Sequence, residues 1–163
     1  MEGPMKDRVA LVTGGGTGIG RAASLAFARE GAKVIIASRT QETGEETVRH
    51  IRASGGEAAW VKTDVTQDAQ AADMVDFAVQ TFGRLDYAFN NAGSGGGWHM
   101  TDELTEANWD ATIDGYLKST WLCMKYEIKA MRIFGGGVIV NNSSVDGERA
   151  FPPAPAYSAA KHG

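Results

Sequence analysis

The chain has 163 residues, with 16 Lys and Arg against 20 Asp and Glu and a formal net charge of −4, a length suited to one domain with its own core. Its 43% apolar and 22% charged residues exclude wholesale disorder, and a mildly acidic balance argues against nucleic-acid binding, which wants clustered Lys and Arg. The single cysteine, Cys123, cannot close an internal disulfide, the N-terminus lacks a basic-then-apolar leader pattern, and no apolar run is long enough to cross a bilayer; the expectation is a soluble, cytoplasmic protein.

Residues 8–13 are a short apolar run with β-branched members, ended by glycines, and predict a strand. Over residues 19–30, Ile19, Ala22, Ala23, Ala26 and Phe27 recur at helical spacing, and Gly31 stands at the C′ position. Residues 33–38 predict a second strand, apolar on both faces as a parallel strand between helices is. Residues 41–54 predict a polar-faced helix carrying Val48 and Ile51 and stopped by Gly55 and Gly56; residues 57–63 predict a third strand. Thr66 is placed to cap a helix running to Phe82, with Ala71, Met74, Val75, Ala78 and Phe82 on one face and Gly83 at its end.

A fourth strand, residues 85–89, runs into Asn90-Asn91-Ala92-Gly93 and a glycine-rich loop. Thr105 is placed to cap a long helix through Met131, with Trp109, Ile113, Leu117, Trp121, Met124 and Ile128 as its apolar stripe. Residues 138–142 predict the fifth strand, the prolines within 152–155 a loop, and the residues from Tyr157 the start of another helix. Strands alternating with helices on short connections predict an α/β fold with a parallel sheet, helices on both faces by right-handed crossovers, and one domain over residues 1–163.

The 21 glycines exceed average usage of roughly 7% and cluster where a ligand would approach the backbone. Thr13-Gly14-Gly15-Gly16-Thr17-Gly18-Ile19-Gly20 lies between the first strand and the first helix. A pyrophosphate binds there through backbone N–H groups at a helix N-terminus, where the dipole favours negative charge and a Cβ would block the approach. Gly18-x-Gly20-x-x-Ala23 fits the looser form of the dinucleotide fingerprint.

Thr13-Gly14-x-x-x-Gly18-x-Gly20 resembles the cofactor motif of the short-chain dehydrogenase/reductase family, and further motifs follow in the family's order. Asp64-Val65 resembles its adenine-contacting pair, Asn90-Asn91-Ala92-Gly93 its signature after the fourth strand, and Ser144, Tyr157 and Lys161 its catalytic Ser and Tyr-x-x-x-Lys. The resemblance covers essentially the whole chain. It implies a Rossmann-like doubly wound sheet of strand order 3-2-1-4-5, with Gly14, Gly16, Thr17, Gly18, Ile19, Gly20, Ser38 and Arg39 on the cofactor. Asp64, Val65, Asn90, Ala92, Gly93, Tyr157 and Lys161 complete that set.

The residue ending the second strand of such a fold meets the adenosine ribose: a carboxylate accepts from the 2′-OH, whereas an arginine pairs with a 2′-phosphate. Here Ser38-Arg39 follows Gly20 by about 19 residues, and the guanidinium fork favours NADP(H). Glu42, close by, leaves NAD as the alternative.

Tyr157 and Lys161 are four apart and share a helix face. An ammonium beside a phenol stabilises its phenolate, so Tyr157 serves as acid and base toward an alcohol or carbonyl. Ser144 donates to the substrate oxygen; Ser143 is its near competitor, and the 13-residue step from Ser144 to Tyr157 matches the family. The resemblance adds that Lys161 binds the nicotinamide ribose and that hydride passes directly to or from the cofactor. The family usually carries an Asn, part of a proton relay, where this chain has Tyr116. Gly115 beside it is unfavourable in a helix interior by about 1 kcal/mol. From sequence alone, Tyr116→Asn is expected to raise turnover.

His50, His99 and His162 lack metal-ligand spacing, and His99 reads as an exposed loop residue. Cys123 reads as packed within its helix, and the Trp109, Trp121 and Met124 stripe as core or subunit interface. The expected function is reversible hydride transfer between NAD(P)(H) and a carbonyl or secondary alcohol, with no metal, no membrane and no nucleic acid. The resemblance implies a dimer or tetramer. The alternatives are a truncated or non-catalytic dinucleotide-binding module and a flavodoxin-like binder. Because the family runs to roughly one and a half times this length, the chain is expected to lack the C-terminal strands and substrate-binding segment, and to have little activity alone.

Overall fold

The computed structural model describes residues 3–163. In chain order its elements are β1 (Val9–Thr13), α1 (Gly18–Arg29), β2 (Lys33–Ser38), α2 (Gln41–Ala53), β3 (Ala58–Lys62) and α3 (Asp68–Phe82). There follow β4 (Tyr87–Asn90), α4 (Glu106–Ile113), α5 (Ser119–Ile133), β5 (Val138–Asn141) and α6 (Pro155–His162).

β1 is buried at every residue because it lies between two parallel neighbours and beneath helices on both faces. Leu11 stands opposite Ile35 of β2 and Ala88 of β4, and the full sheet has the order β3-β2-β1-β4-β5, as the family resemblance implies. Alternating side chains divide the core in two. Leu11 and Ile35 pack with Met74, Val75 and Ala78 of α3 and with Cys123 and Met131 of α5. Val12, Val34 and Ile36 pack with Val48 and Ile51 of α2 and Leu25 of α1. Truncating such a fully buried residue, Leu11→Ala for instance, costs about 2–5 kcal/mol.

Thr66 does not cap α3. Its hydroxyl and N–H both bond Asp64 Oδ1, at 2.8 and 3.1 Å, a local turn that competes with capping; the helix starts one residue later, from Gln67. Thr105 does cap α4, accepting from Asn108 N at 3.2 Å. The helix expected from Tyr157 begins two residues earlier, with Pro155 at its first turn.

The predicted long helix is interrupted. Between α4 and α5 lies a π-helical turn, Asp114–Lys118, whose extra residue rotates the helix face beyond it. The side buried in α5 therefore carries Ser119, Leu122, Cys123, Glu127, Ala130 and Met131. The predicted stripe lies off that side: Trp109, Trp121 and Ile128 are 41%, 56% and 38% exposed. β5 is the sheet edge, with Val138 and Val140 exposed. Among the described residues no helix is long and apolar enough to cross a membrane.

Candidate functional site

The strand order reverses between β1 and β4, and in such a sheet the crevice at the C-terminal strand ends is the natural ligand site. A cleft of about 480 Å³ opens there. Its two sides are tied together by Thr13, whose Oγ1 accepts from Asn91 N and Ala92 N, each at 3.0 Å. Asn91 Nδ2 returns a bond to Thr13 O at 3.1 Å.

One wall is the glycine loop, where Gly14, Gly16, Thr17, Gly18 and Ile19 all face the cleft. Gly14 and Gly18 have φ of +66° and +50°, backbone that disfavours any side chain. Thr17 precedes α1 without a side-chain capping bond, and no acidic residue occupies the first turn. The first amide N–H groups of α1 are thus left for an anion. Gly20 is buried beneath the loop rather than on the cleft, and a Cβ there would strike the Gly14 carbonyl.

Ser38 and Arg39 form the outer rim, with Asp64 and Val65 beside them and Ala92 and Gly93 opposite. Trp60 Nε1 donates to Ser38 Oγ at 2.9 Å, fixing that hydroxyl, while Arg39 is exposed. Asn90 was expected on the cofactor but turns inward: it is 5% exposed and its Nδ2 donates to Glu127 Oε2 and Asn141 Oδ1, both at 3.0 Å. Sequence reasoning passed over Thr43, Asn91 and Asn142, which also line the cleft. Polar residues at the C-terminal ends of parallel strands were the available signal for the two asparagines.

A second pocket, about 350 Å³, is walled by Ser144, Val145, Tyr157, Trp98 and Tyr116. Ser144 begins a single 3₁₀ turn, its Oγ accepting from Asp146 N at 3.2 Å. Ser143 instead lines a groove on the other side of Tyr116, with Trp121 and Met124, so the two candidate serines part company in space. Lys161 Nζ donates to Asn142 O at 2.7 Å, and Asn142 itself borders the cofactor cleft. The same ammonium lies 5.7 Å from the Tyr157 ring and 5.1 Å from the Tyr116 ring. Burial lowers the Lys161 ammonium below its ordinary value, since a desolvated charge is unfavourable.

Gly115 faces the carbonyl of Ser94, which a Cβ there would strike; the residue that looked costly in a helix is the one that lets the loop and helix meet. His99 is half-buried rather than exposed, its Nε2 3.1 Å from both Gly96 O and Asn108 Nδ2. Cys123 is 1% exposed, and burial pushes its thiol up, making it unreactive. No cluster able to hold a metal ion occurs among the described residues.

Residues 8–163 match the family model for short chain dehydrogenase. The chain is 39% identical over 163 residues to a cyclohexanol dehydrogenase of Acinetobacter sp. (strain SE19), covering all of this chain and 65% of the relative. It is 41% identical to an A-factor type gamma-butyrolactone 1'-reductase (1S-forming) of Streptomyces virginiae, covering 99% of this chain and 63% of the relative. The crystal structure of levodione reductase superposes with a TM-score of 0.93 at 37% identity, over 98% of this chain and 62% of the other. The chain thus spans somewhat less than two thirds of these relatives' length.

Proposed function

The chain belongs to the short-chain dehydrogenase family, and on that premise we propose that it carries the cofactor site and acid–base residues of an NADP(H)-dependent oxidoreductase acting on a carbonyl or secondary alcohol. The observation that carries this reading is that Lys161 lies against the Tyr157 ring and also reaches the edge of the glycine-loop cleft. Lys161, one helical turn from Tyr157, reaches the Asn142 carbonyl at the border of the glycine-loop cleft. The residues fit a dinucleotide: uncapped N–H groups at the start of α1 and left-handed glycines before it suit a pyrophosphate, and exposed Arg39 suits a 2′-phosphate. When bound, the nicotinamide supplies or accepts a hydride.

In this reading the chain's own work is proton handling and orientation. Ser144 Oγ donates to the substrate oxygen, a role supported by its sharing a pocket with Tyr157. Tyr157 gives or takes the hydroxyl proton. The Lys161 ammonium, 5.7 Å from the Tyr157 ring, orients that ring. Carbonyl and alcohol substrates are also what the names of the cyclohexanol dehydrogenase and levodione reductase indicate for those relatives. The exposed Trp121 and Ile128 on α5 support association with further copies.

Quenching of tryptophan fluorescence by NADPH and NADH tests the cofactor site, and a panel of cyclic ketones and alcohols tests turnover. NADPH is expected to bind more tightly, and Tyr157→Phe to keep binding while turnover falls by roughly 10²–10⁴. Failure to bind either nucleotide overturns the reading. Binding with no turnover in a chain extended to the relatives' length favours the second reading, a non-catalytic dinucleotide module.

A further inference from the structure

Tyr116 is the half-buried partition between the substrate-side pocket of Ser144 and Tyr157 and the groove that holds Ser143 and Lys161. Its ring packs against Gly93, which has no Cβ to hinder it. It meets the Tyr157 ring edge-on, with centroids 4.8 Å apart and planes at 79°, inside the favourable range for an edge-to-face pair. Its face lies 5.1 Å from the Lys161 ammonium, within cation–π reach. One ring thus touches both members of the acid–base pair from an element other than theirs.

We infer that Tyr116 is a positioning residue for Tyr157 and Lys161, its ring packing against the phenol ring and its face holding the ammonium. Two features of the chain hold the ring in place. The π-helical turn Asp114–Lys118 presents residue 116 toward α6, and Gly115 lets the Ser94 backbone close against that turn. The ring, rather than the hydroxyl, makes both contacts. The sequence expectation is thereby reversed: Tyr116→Asn removes both contacts and is expected to lower turnover. The inference rests on Tyr157 and Lys161 being the working pair, so its test is made without cofactor or substrate.

The groups placed against the Lys161 ammonium are Tyr157 from its own helix, Tyr116 from the π-helical turn, and the Asn142 carbonyl after β5; no ion pair to it forms among the described residues. NMR titration of labelled lysine, assigned with Lys161→Met, reads the ammonium directly. Phenylalanine at position 116 keeps the ring's shape, burial and face, and increasingly fluorinated phenylalanines keep the shape and burial while weakening the face. Phenylalanine is expected to leave the Lys161 titration midpoint unchanged, and the fluorinated series to lower it stepwise, by about half a pH unit in total. A flat series overturns the inference, as does a shift with phenylalanine equal to that of the fluorinated rings. NADPH binding, measured separately, reports on the proposed function, so failure of one reading is distinguishable from failure of the other.

Discussion

Glu127, on the buried side of α5, accepts a hydrogen bond from Asn90 Nδ2 at 3.0 Å, while Glu127 Oε1 and Asn90 Oδ1 have no partner. Burial pushes the Glu127 carboxyl up to about 7, against the opposing pull of the Asn90 bond. The folded chain therefore keeps a proton that the unfolded chain, titrating near 4.3, releases. Stability is then expected to decline as pH rises from about 4 to about 7, by roughly 3 kcal/mol, and to level off above that. Urea unfolding at pH 5 and pH 8 measures the slope. Glu127→Gln is expected to abolish most of it and to exceed the parent chain's stability at pH 8; equal slopes in both proteins would refute the assignment.

Asp86 behaves in the opposite sense. Burial raises its carboxyl, but hydrogen bonds from Arg84, Val9 N and Arg8 outweigh that and hold it below the ordinary value. Its contribution is present above the unfolded value near 3.9 and is lost as pH falls through the lower folded one. Both guanidinia are partly in water, so the main loss in Asp86→Ala is the buried Val9 N–H left unpaired, about 1–3 kcal/mol. A denaturation midpoint that does not move would show that Val9 finds another acceptor.

Arg39 stands exposed on the cleft rim. If its fork meets a 2′-phosphate, Arg39→Asp is expected to weaken NADPH binding roughly tenfold to a hundredfold. NADH binding should tighten as the new carboxylate accepts from the ribose. The ratio of the two dissociation constants is the readout, and an unchanged ratio removes the cofactor preference.

Gly18 and Gly20 make a contrast within one loop. A Cβ on Gly18 meets nothing, though the residue's φ is +50°, so Gly18→Ala is expected to cost only about 1–2 kcal/mol. A Cβ on Gly20 meets the Gly14 carbonyl, which is backbone and can yield only by moving the loop. Gly20→Ala is expected to cost more than Gly18→Ala in melting temperature. It should also weaken nucleotide binding by at least tenfold, about 1.4 kcal/mol. A milder effect at Gly20 than at Gly18 would contradict the close approach.

Much of this was legible from the chain alone. Strong apolar runs such as Val34-Ile35-Ile36-Ala37, separated by helices of clear period, specify parallel strands with little ambiguity, and every strand pairing observed is parallel. The glycine loop was legible because its chemistry is backbone chemistry, local to eight consecutive residues. The long helix was misread for a physical reason. Periodicity reports that Trp109, Trp121 and Ile128 share a stripe, but not what covers it, and the π-helical turn lies where Gly115 meets the distant Ser94 backbone.

Composition and periodicity were thus enough for the α/β class, which depends on near neighbours in sequence, and the ordered motifs for the family, whose resemblance implied the strand order. Contacts across the sheet ends needed the folded chain. Asn90 turns inward to Glu127, Ser144 rather than Ser143 shares a pocket with Tyr157, and Lys161 reaches Asn142, 19 residues away. Tyr116 changes meaning most. By sequence it is a missing amide; in space it is an aromatic ring against both Tyr157 and Lys161, because only packing brings a helix turn, a glycine loop and α6 to one point.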